Sequence, residues 1–261
     1  MRTWAMRPRS HIRHRSHFSE HEAIACAPSS MLACWHAQVG GDLRMGIVIG
    51  VVSQKGGVGK STIARLVARE FAAQRWSVKI GDLDISQATS FKWRARRLQN
   101  AVEPDVPIEQ FGRTDQALKI ADRYDLLVLD GAPHATAATE QIARASDLVI
   151  IPTGLAIDDL EPGVLLAHDL VKARIPAKRI VFALCRVGSS DAEIAEARRY
   201  IAHAGYSAID GALPEKVGYR RASDEGRAAT ETRFPSLNRC AEQLAQSIVD
   251  RISELAKERA A

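Results

Sequence analysis

The sequence predicts an α/β fold, a doubly wound, mostly parallel sheet with helices on both faces. Three observations carry that prediction. Short apolar, β-branched runs recur along the chain. Amphipathic helical patterns separate them, which is the alternation that builds parallel sheets. A glycine-rich loop joins the first run to the first helical pattern.

Composition agrees. Hydrophobic residues are 46% of 261 and charged residues 26%, which excludes a disordered or collagen-like chain. Four cysteines without close pairing exclude a disulfide scaffold and fit a reducing cytosol. The net charge of +5 permits an anionic partner without identifying one. No run of 18 apolar residues occurs, so no transmembrane helix is expected.

Residues 1–44 read differently from the rest. Residues 1–45 hold all four Met and five of the eight His (His11, His14, His17, His21, His36). They also hold six Arg, no Lys and three acids, so +3 of the +5 lies here. No periodic apolar pattern precedes Ile47. A secretory leader would need a clean apolar core, but Pro28, Ser29, Ser30, His36 and Gln38 interrupt Ala23–Gly41. A metal site at Cys26, Cys34 and His36 lacks close Cys spacing. A basic arm on nucleic acid is a third reading. The expectation is a disordered extension or a start assigned too early, because a strand-like run follows Met45 at once. Residues 45–261 are then the single domain, and a chain begun at Met45 is expected to carry the fold and its activity.

The elements follow in order. Ile47–Ser53 is the first strand, and Val78–Asp82, Asp125–Asp130, Asp147–Pro152 and Arg179–Leu184 are later ones. Ile63–Gln74 is the first helix, with Leu66, Val67 and Phe71 on one face. Ala135–Ala145, Leu160–Ala173 and Ala192–Ala204 are further helices. Ser236–Arg259 is amphipathic, with Cys240, Leu244, Ile248, Ile252 and Leu255 at helical spacing. Four bases and four acids lie between Arg239 and Arg259, so its polar face is neutral. A membrane-seeking helix is basic there, so this one is expected to pack on the sheet.

The most specific signal is Gln54–Thr62, QKGGVGKST. Gly56, Gly57 and Gly59, with Val58 between them, let successive backbone N–H groups point at a phosphate. The helix that follows adds the positive end of its dipole. Lys60 offers a point charge to the β- and γ-phosphates, Ser61 a hydroxyl to Mg²⁺, and Thr62 continues the phosphate contact. Such a loop is a P-loop. Gln54 occupies the position where the plain pattern has glycine, and a second lysine, Lys55, stands inside the loop. The plainer reading, a glycine-rich turn with two surface lysines, does not account for a strand before it and a helix after it.

KGGVGKST with that second lysine resembles the deviant Walker A motif of the ParA/MinD family of P-loop ATPases, and the resemblance runs over roughly residues 46–230. In that family the extra lysine, here Lys55, reaches across a nucleotide-sandwich dimer to the partner's ATP. Asp82–Gln87 (DLDISQ) is similar to the family's D-x-D-P-Q switch, with Ile85-Ser86 in place of the single proline. The resemblance implies that Asp84 orients or activates the attacking water and that Asp82 lies in the outer shell of Mg²⁺. A plainer reading of Asp84 is a helix N-cap or first-turn acid. Tyr124–Pro133 (YDLLVLDGAP) resembles the Walker B strand, which implies that Asp130 binds Mg²⁺ directly or through water.

Later segments carry weaker likenesses. Asp147–Pro162 resembles a dimer-interface segment through Pro152, Thr153 and Asp158, while Asp158 and Asp159 read more simply as charges at a helix N-terminus. Relatives often end the fifth strand with Asn-Arg, the Asn facing adenine; here it is Cys185-Arg186. Lys216–Gly226 resembles a late element and brings Arg220 and Arg221 together, with Arg227 beyond. The resemblance implies DNA contact there without sequence preference. Lys92, Arg94, Arg96 and Arg97 form a second basic cluster. Either cluster also reads as a solvated basic face.

The resemblance implies an ATP- and Mg²⁺-dependent ATPase with Lys55, Lys60 and Asp84 as its catalytic groups and Ser61, Asp82 and Asp130 around the metal. It implies a homodimer formed on ATP, non-specific DNA binding by that dimer, and a ParB-like centromere-binding protein that stimulates hydrolysis. Such a protein partitions DNA and is cytoplasmic, on the nucleoid when ATP-bound, with no stable membrane association. An alternative within the family positions a protein complex or a membrane-associated cargo. A third reading, an electron-transfer ATPase like the nitrogenase iron protein, needs two cluster cysteines per subunit, and Cys185 and Cys240 are poorly placed for that. A binding module without hydrolysis is the fourth.

Overall fold

The structure, a computed structural model, describes residues 46–133 and 136–260. The expectations for residues 1–44 lie outside the described residues. Strand β1 (Ile47–Val51) runs into the loop and helix α1 (Lys60–Ala73). Strand β2 (Val78–Asp82), helix α2 (Thr89–Gln99), strand β3 (Ile108–Gln110) and helix α3 (Thr114–Leu118) follow. Then come β4 (Leu126–Asp130), α4 (Thr136–Ala145), β5 (Leu148–Thr153) and α5 (Ile157–Lys172). The chain continues through β6 (Ile180–Val187), α6 (Asp191–His203), β7 (Ser207–Ala208) and β8 (Leu213–Pro214). It closes with α7 (Val217–Asp224) and α8 (Pro235–Ala260).

The strands lie in the order β3-β2-β4-β1-β5-β6-β7, with β8 beside β6, and the pairs are parallel. The sheet is therefore doubly wound from β1 outward, as the alternation predicts. Strand order reverses at β1, and ligands of such sheets bind past the carboxyl ends of the strands at that point. The glycine loop leaves β1 there.

Two buried clusters clothe the sheet. One joins α1, Trp93 of α2 and α8 to one face; the other joins α3, α4, α5 and α6 to the opposite face. The last helix packs as its stripe predicts. Leu244, Ile248, Ile252 and Leu255 are buried, each worth about 1.5–3 kcal/mol, while Cys240 sits half-buried near its start.

Helix α2 has no readable stripe because its inward face is Ser90, Trp93 and Arg97, only one of them apolar. This corrects the reading of Arg97 as part of a solvated basic face, while Lys92 is exposed as that reading has it. Helical geometry turns Arg97 inward beside Trp93, and Arg97 is 0% exposed. Its Nη1 and Nη2 donate to Glu231 at 2.6 and 2.9 Å, and its guanidinium lies 5.2 Å from the Trp93 ring centroid. It also donates to the carbonyls of Gly226 (3.0 Å) and Pro104 (2.8 Å). Gly226 has φ 74° and packs on the Arg97 backbone, where a Cβ has no room. Trp93 Nε1 donates to the Arg227 carbonyl at 3.1 Å. Arg94 is spent on Asp105 through two bonds of 3.1 and 2.7 Å. Helix α2 is thereby bolted to the segment that follows α7.

Burial alone would raise the Glu231 pKa, but the Arg97 hydrogen bonds, the Ala228 N–H and Arg69 outweigh it and hold the carboxyl below its ordinary value. The stability this contributes is present above the ordinary glutamate range and is lost as pH falls through the lower folded value. Glu231→Ala, which leaves Arg97 buried and unpaired, is expected to cost about 3–5 kcal/mol in denaturant unfolding. Glu231→Gln is expected to flatten the acid limb of stability against pH; an unchanged limb assigns acid sensitivity elsewhere.

Candidate functional site

The loop is shaped by two glycines in the left-handed region, Gly57 (φ 76°) and Gly59 (φ 109°). Gly59 also abuts Cys185; a Cβ there would lie 3.2 Å from that side chain's Cβ and Sγ. Helix α1 starts at Lys60 with no side-chain cap and no acid in its first turn. Its N-terminal amides and dipole thus face the loop without an acid of their own turn to compete.

The two lysines are held differently. Lys60 is buried, and its Nζ donates to the Lys55 carbonyl at 2.9 Å. Burial lowers its pKa, while the nearby charges of Asp130 and Asp84 pull it back up. Lys55 has a side chain 43% exposed; its Nζ pairs with Asp159 Oδ1 and donates to the Asp158 carbonyl at 3.2 Å. Lys55 therefore leans away from the loop onto the first turn of α5. Asp158 and Asp159 are first-turn acids, as the simpler reading has it, and Asp159 has this second partner. Nothing in the sequence pairs residues 55 and 159, because the contact is made by the fold.

Asp82 and Asp130 are cross-strand partners at the carboxyl ends of β2 and β4. Asp130 Oδ2 accepts from Ser90 Oγ at 2.7 Å, and the Ser61 hydroxyl near this carboxylate also favours its charged form. Burial pushes the Asp130 carboxyl up to about 6 against those hydrogen bonds. Its Oδ1 is buried without a hydrogen-bond partner. Asp82 accepts from the Asp84 N–H and the Phe91 N–H, both at 3.1 Å, and so shapes the segment between the strand and α2. Burial raises its pKa, with the two amide bonds working against the rise.

Asp84 Oδ1 accepts from Ser86 Oγ (2.7 Å) and the Gln87 N–H (3.1 Å). It is not the cap of α2: that position is Ala88, and the first turn holds no acid. The plainer reading of Asp84 is thereby corrected, since a local turn separates it from the helix. Ser61, Asp130 and the adjoining Asp82 form an all-oxygen set suited to a hard cation, and the orphaned Oδ1 is the atom a hydrated cation would satisfy.

A cavity of about 500 Å³ opens beside the loop, lined by Gly57, Gly59 and Thr62, the end of β6, the β8 turn and α7. Arg186 takes the left-handed conformation (φ 57°), lays Nη1 on the Gly57 carbonyl (3.3 Å) and pairs Nε with Glu215 (3.1 Å). It straps the loop to the β8 turn, a role the sequence does not disclose. The Cys185 thiol is buried and its pKa pushed up to about 12, so it is neutral and packs as a small hydrophobe. Arg220 lines the cavity and pairs with Glu215 at 3.3 Å, while Arg221 is exposed. Arg227 pairs with Glu225 at 3.3 Å. Among the described residues no helix is long and apolar enough to cross a membrane.

The model of the CobQ/CobB/MinD/ParA nucleotide binding domain matches residues 49–229, from β1 through α7. The chain belongs to this family. It is 29% identical over 188 residues to the maintenance of carboxysome distribution protein A of Gloeobacter kilaueensis, covering 71% of this chain and 85% of that one. Its fold is similar to that of the cell division ATPase MinD of Pyrococcus furiosus: TM-score 0.63, 20% identity, covering 79% of this chain and 99% of that one. It is also similar to the ATP complex of a McdA variant from Cyanothece: TM-score 0.59, 15% identity, covering 78% of this chain and 97% of that one. ParA/MinD members of the family are ATPases, and in this chain the glycine loop, Asp82, Asp84 and Asp130 lie in one place.

Lys60→Ala is expected to lower nucleotide affinity at least about 100-fold, since Lys60 is the buried cation that opens α1 between the loop and Asp130. Titration with a fluorescent nucleotide measures it; unchanged affinity would sink the assignment of the loop.

Proposed function

We propose that the chain is an ATP-hydrolysing molecular switch that positions a cargo, with a protein assembly as the better-supported cargo. The carrying observation is the division of labour between the lysines. Lys60 is buried beside Asp130 and Asp84, and Lys55 is half-exposed and turned outward. A cation directed away from its own loop suits service to a second subunit's nucleotide, where it would neutralise charge developing at the transferring phosphoryl group. Ser61 and Asp130, with Asp82 behind, would hold Mg²⁺, which would supply neutralising charge to the phosphates. Asp84 stands close enough to Lys60 to pull its pKa upward against the lowering by burial, which supports a role in orienting the attacking water. Ile85 after Asp84, Ile157 at the start of α5 and Val217 at the start of α7 are exposed, and burying such apolar side chains would favour an ATP-bound homodimer.

The cargo reading rests on the similarity to the carboxysome distribution protein. The partition of DNA, with a ParB-like partner, is the second reading, and exposed Arg221 and Arg233 with half-free Arg220 favour a nucleic-acid surface. Both readings use the same switch, and both allow non-specific association with the nucleoid when ATP is bound.

Two variants separate the roles. Lys55→Ala is expected to bind ATP as a monomer, to lose the ATP dimer and to lose stimulated hydrolysis. Asp84→Ala is expected to dimerise yet release phosphate about 100-fold more slowly or worse. Solution mass beside phosphate release reads both, and normal behaviour of Lys55→Ala contradicts the shared-site mechanism.

For the nucleic-acid surface, Arg220→Glu with Arg221→Glu is expected to weaken ATP-dependent DNA binding and reduce its salt slope by about 1–2. Nucleotide binding should survive in that variant. DNA affinity equal to wild type moves the contact elsewhere.

A further inference from the structure

Ser90 lies in the first turn of α2 and is 0% exposed, wedged between α1 and the end of β4. A serine hydroxyl has one hydrogen to donate, whereas a guanidinium only donates. Arg65 Nε donates to Ser90 Oγ at 3.1 Å, so the Ser90 hydrogen is directed to a different group. It goes to Asp130 Oδ2 at 2.7 Å. All three side chains are buried. Arg65 is fixed in turn: Nη1 donates to Ser223 Oγ on α7 at 3.3 Å, and the guanidinium lies 5.5 Å from the Trp93 ring centroid. The polarity of the chain Arg65–Ser90–Asp130 is thus set by its first member.

One oxygen of Asp130 is tied down by this chain, and the other, Oδ1, is buried with no partner. A polar oxygen in that condition is costly until a donor or a cation takes it. We propose that Arg65 and Ser90 are positioning residues for the metal-binding carboxylate: they clamp Oδ2 of Asp130 so that Oδ1 is presented to the hydrated Mg²⁺ that accompanies the nucleotide. The inference rests on the Mg·ATP reading above. Partners one layer behind a metal ligand fix its orientation, and their loss typically weakens metal affinity about 10–100-fold. Neither residue belongs to the phosphate loop or to a switch acid. Ser90 lies on α2 and Arg65 reaches α7, so the clamp also ties the carboxylate to two elements outside the loop.

The test is Mg²⁺ titration of the full chain bound to a fluorescent, slowly hydrolysed ATP analogue, with EDTA as the metal-free reference. In Ser90→Ala the Mg²⁺ needed for half-maximal gain in affinity is expected to rise about 10-fold, while affinity in EDTA stays at the wild-type value. Arg65→Met combined with Ser90→Ala removes the buried donor together with its acceptor, which spares the fold an unpaired guanidinium. It is expected to show the same metal-specific loss, and it decides the matter where the single variant is insoluble. Unchanged Mg²⁺ dependence in both variants overturns the inference. So does an equal loss with and without Mg²⁺, which is the mark of packing. A wild-type chain that binds no nucleotide under either condition overturns the ATP reading itself.

Discussion

A buried carboxylate at the end of β4 organises this site. Asp130 is 2% exposed, shares its strand end with Asp82 and has its pKa pushed up to about 6 by burial. A charge in that position is tolerated only where donors and cations converge. Ser61 reaches it from α1, Ser90 from α2, and Lys60 and Arg65 supply positive charge from α1. Strand β4 and helices α1 and α2 thus converge on one charge. The same arrangement leaves one carboxylate oxygen free, and a free oxygen beside an anion-binding loop is what a metal–phosphate complex requires.

In the proposed switch, the contact of Lys55 would be a weak one, readily exchanged. Lys55 and Asp159 are both partly exposed, so their ion pair is worth about 0–1 kcal/mol at most. A phosphate offered by another subunit is a stronger partner than a solvated carboxylate, because its hydrogen bonds are charge-assisted and formed in a drier place. Lys60 differs: it is buried among Asp130, Asp84 and the loop, where displacement leaves a charge unpaired.

The parts of this molecule that were legible in the sequence are those fixed by local rules. β-Branched runs marked five strands of the sheet, and the glycine spacing marked the loop, because Gly57 and Gly59 need a backbone geometry that few residues adopt. Asp130 was legible as the acid ending a buried strand. Less legible were features made by contacts across the fold. Helix α2 hid because its inner face is polar, and Arg97 read as a surface charge until Glu231, 134 residues away, covered it. Ser90 and Arg65 carry no motif, and the contacts of Asp159 and Arg186 are not readable from theirs; each gains its place from a partner distant in sequence.

The central claim is that ATP, and not ADP, joins two copies of this chain face to face at the loop. Analytical ultracentrifugation of the wild-type chain with Mg²⁺ and a slowly hydrolysed ATP analogue, beside the same sample with ADP, tests it most directly. The account predicts twice the monomer mass with the analogue and the monomer with ADP. A monomer in both, at nucleotide concentrations that saturate the site, would contradict it.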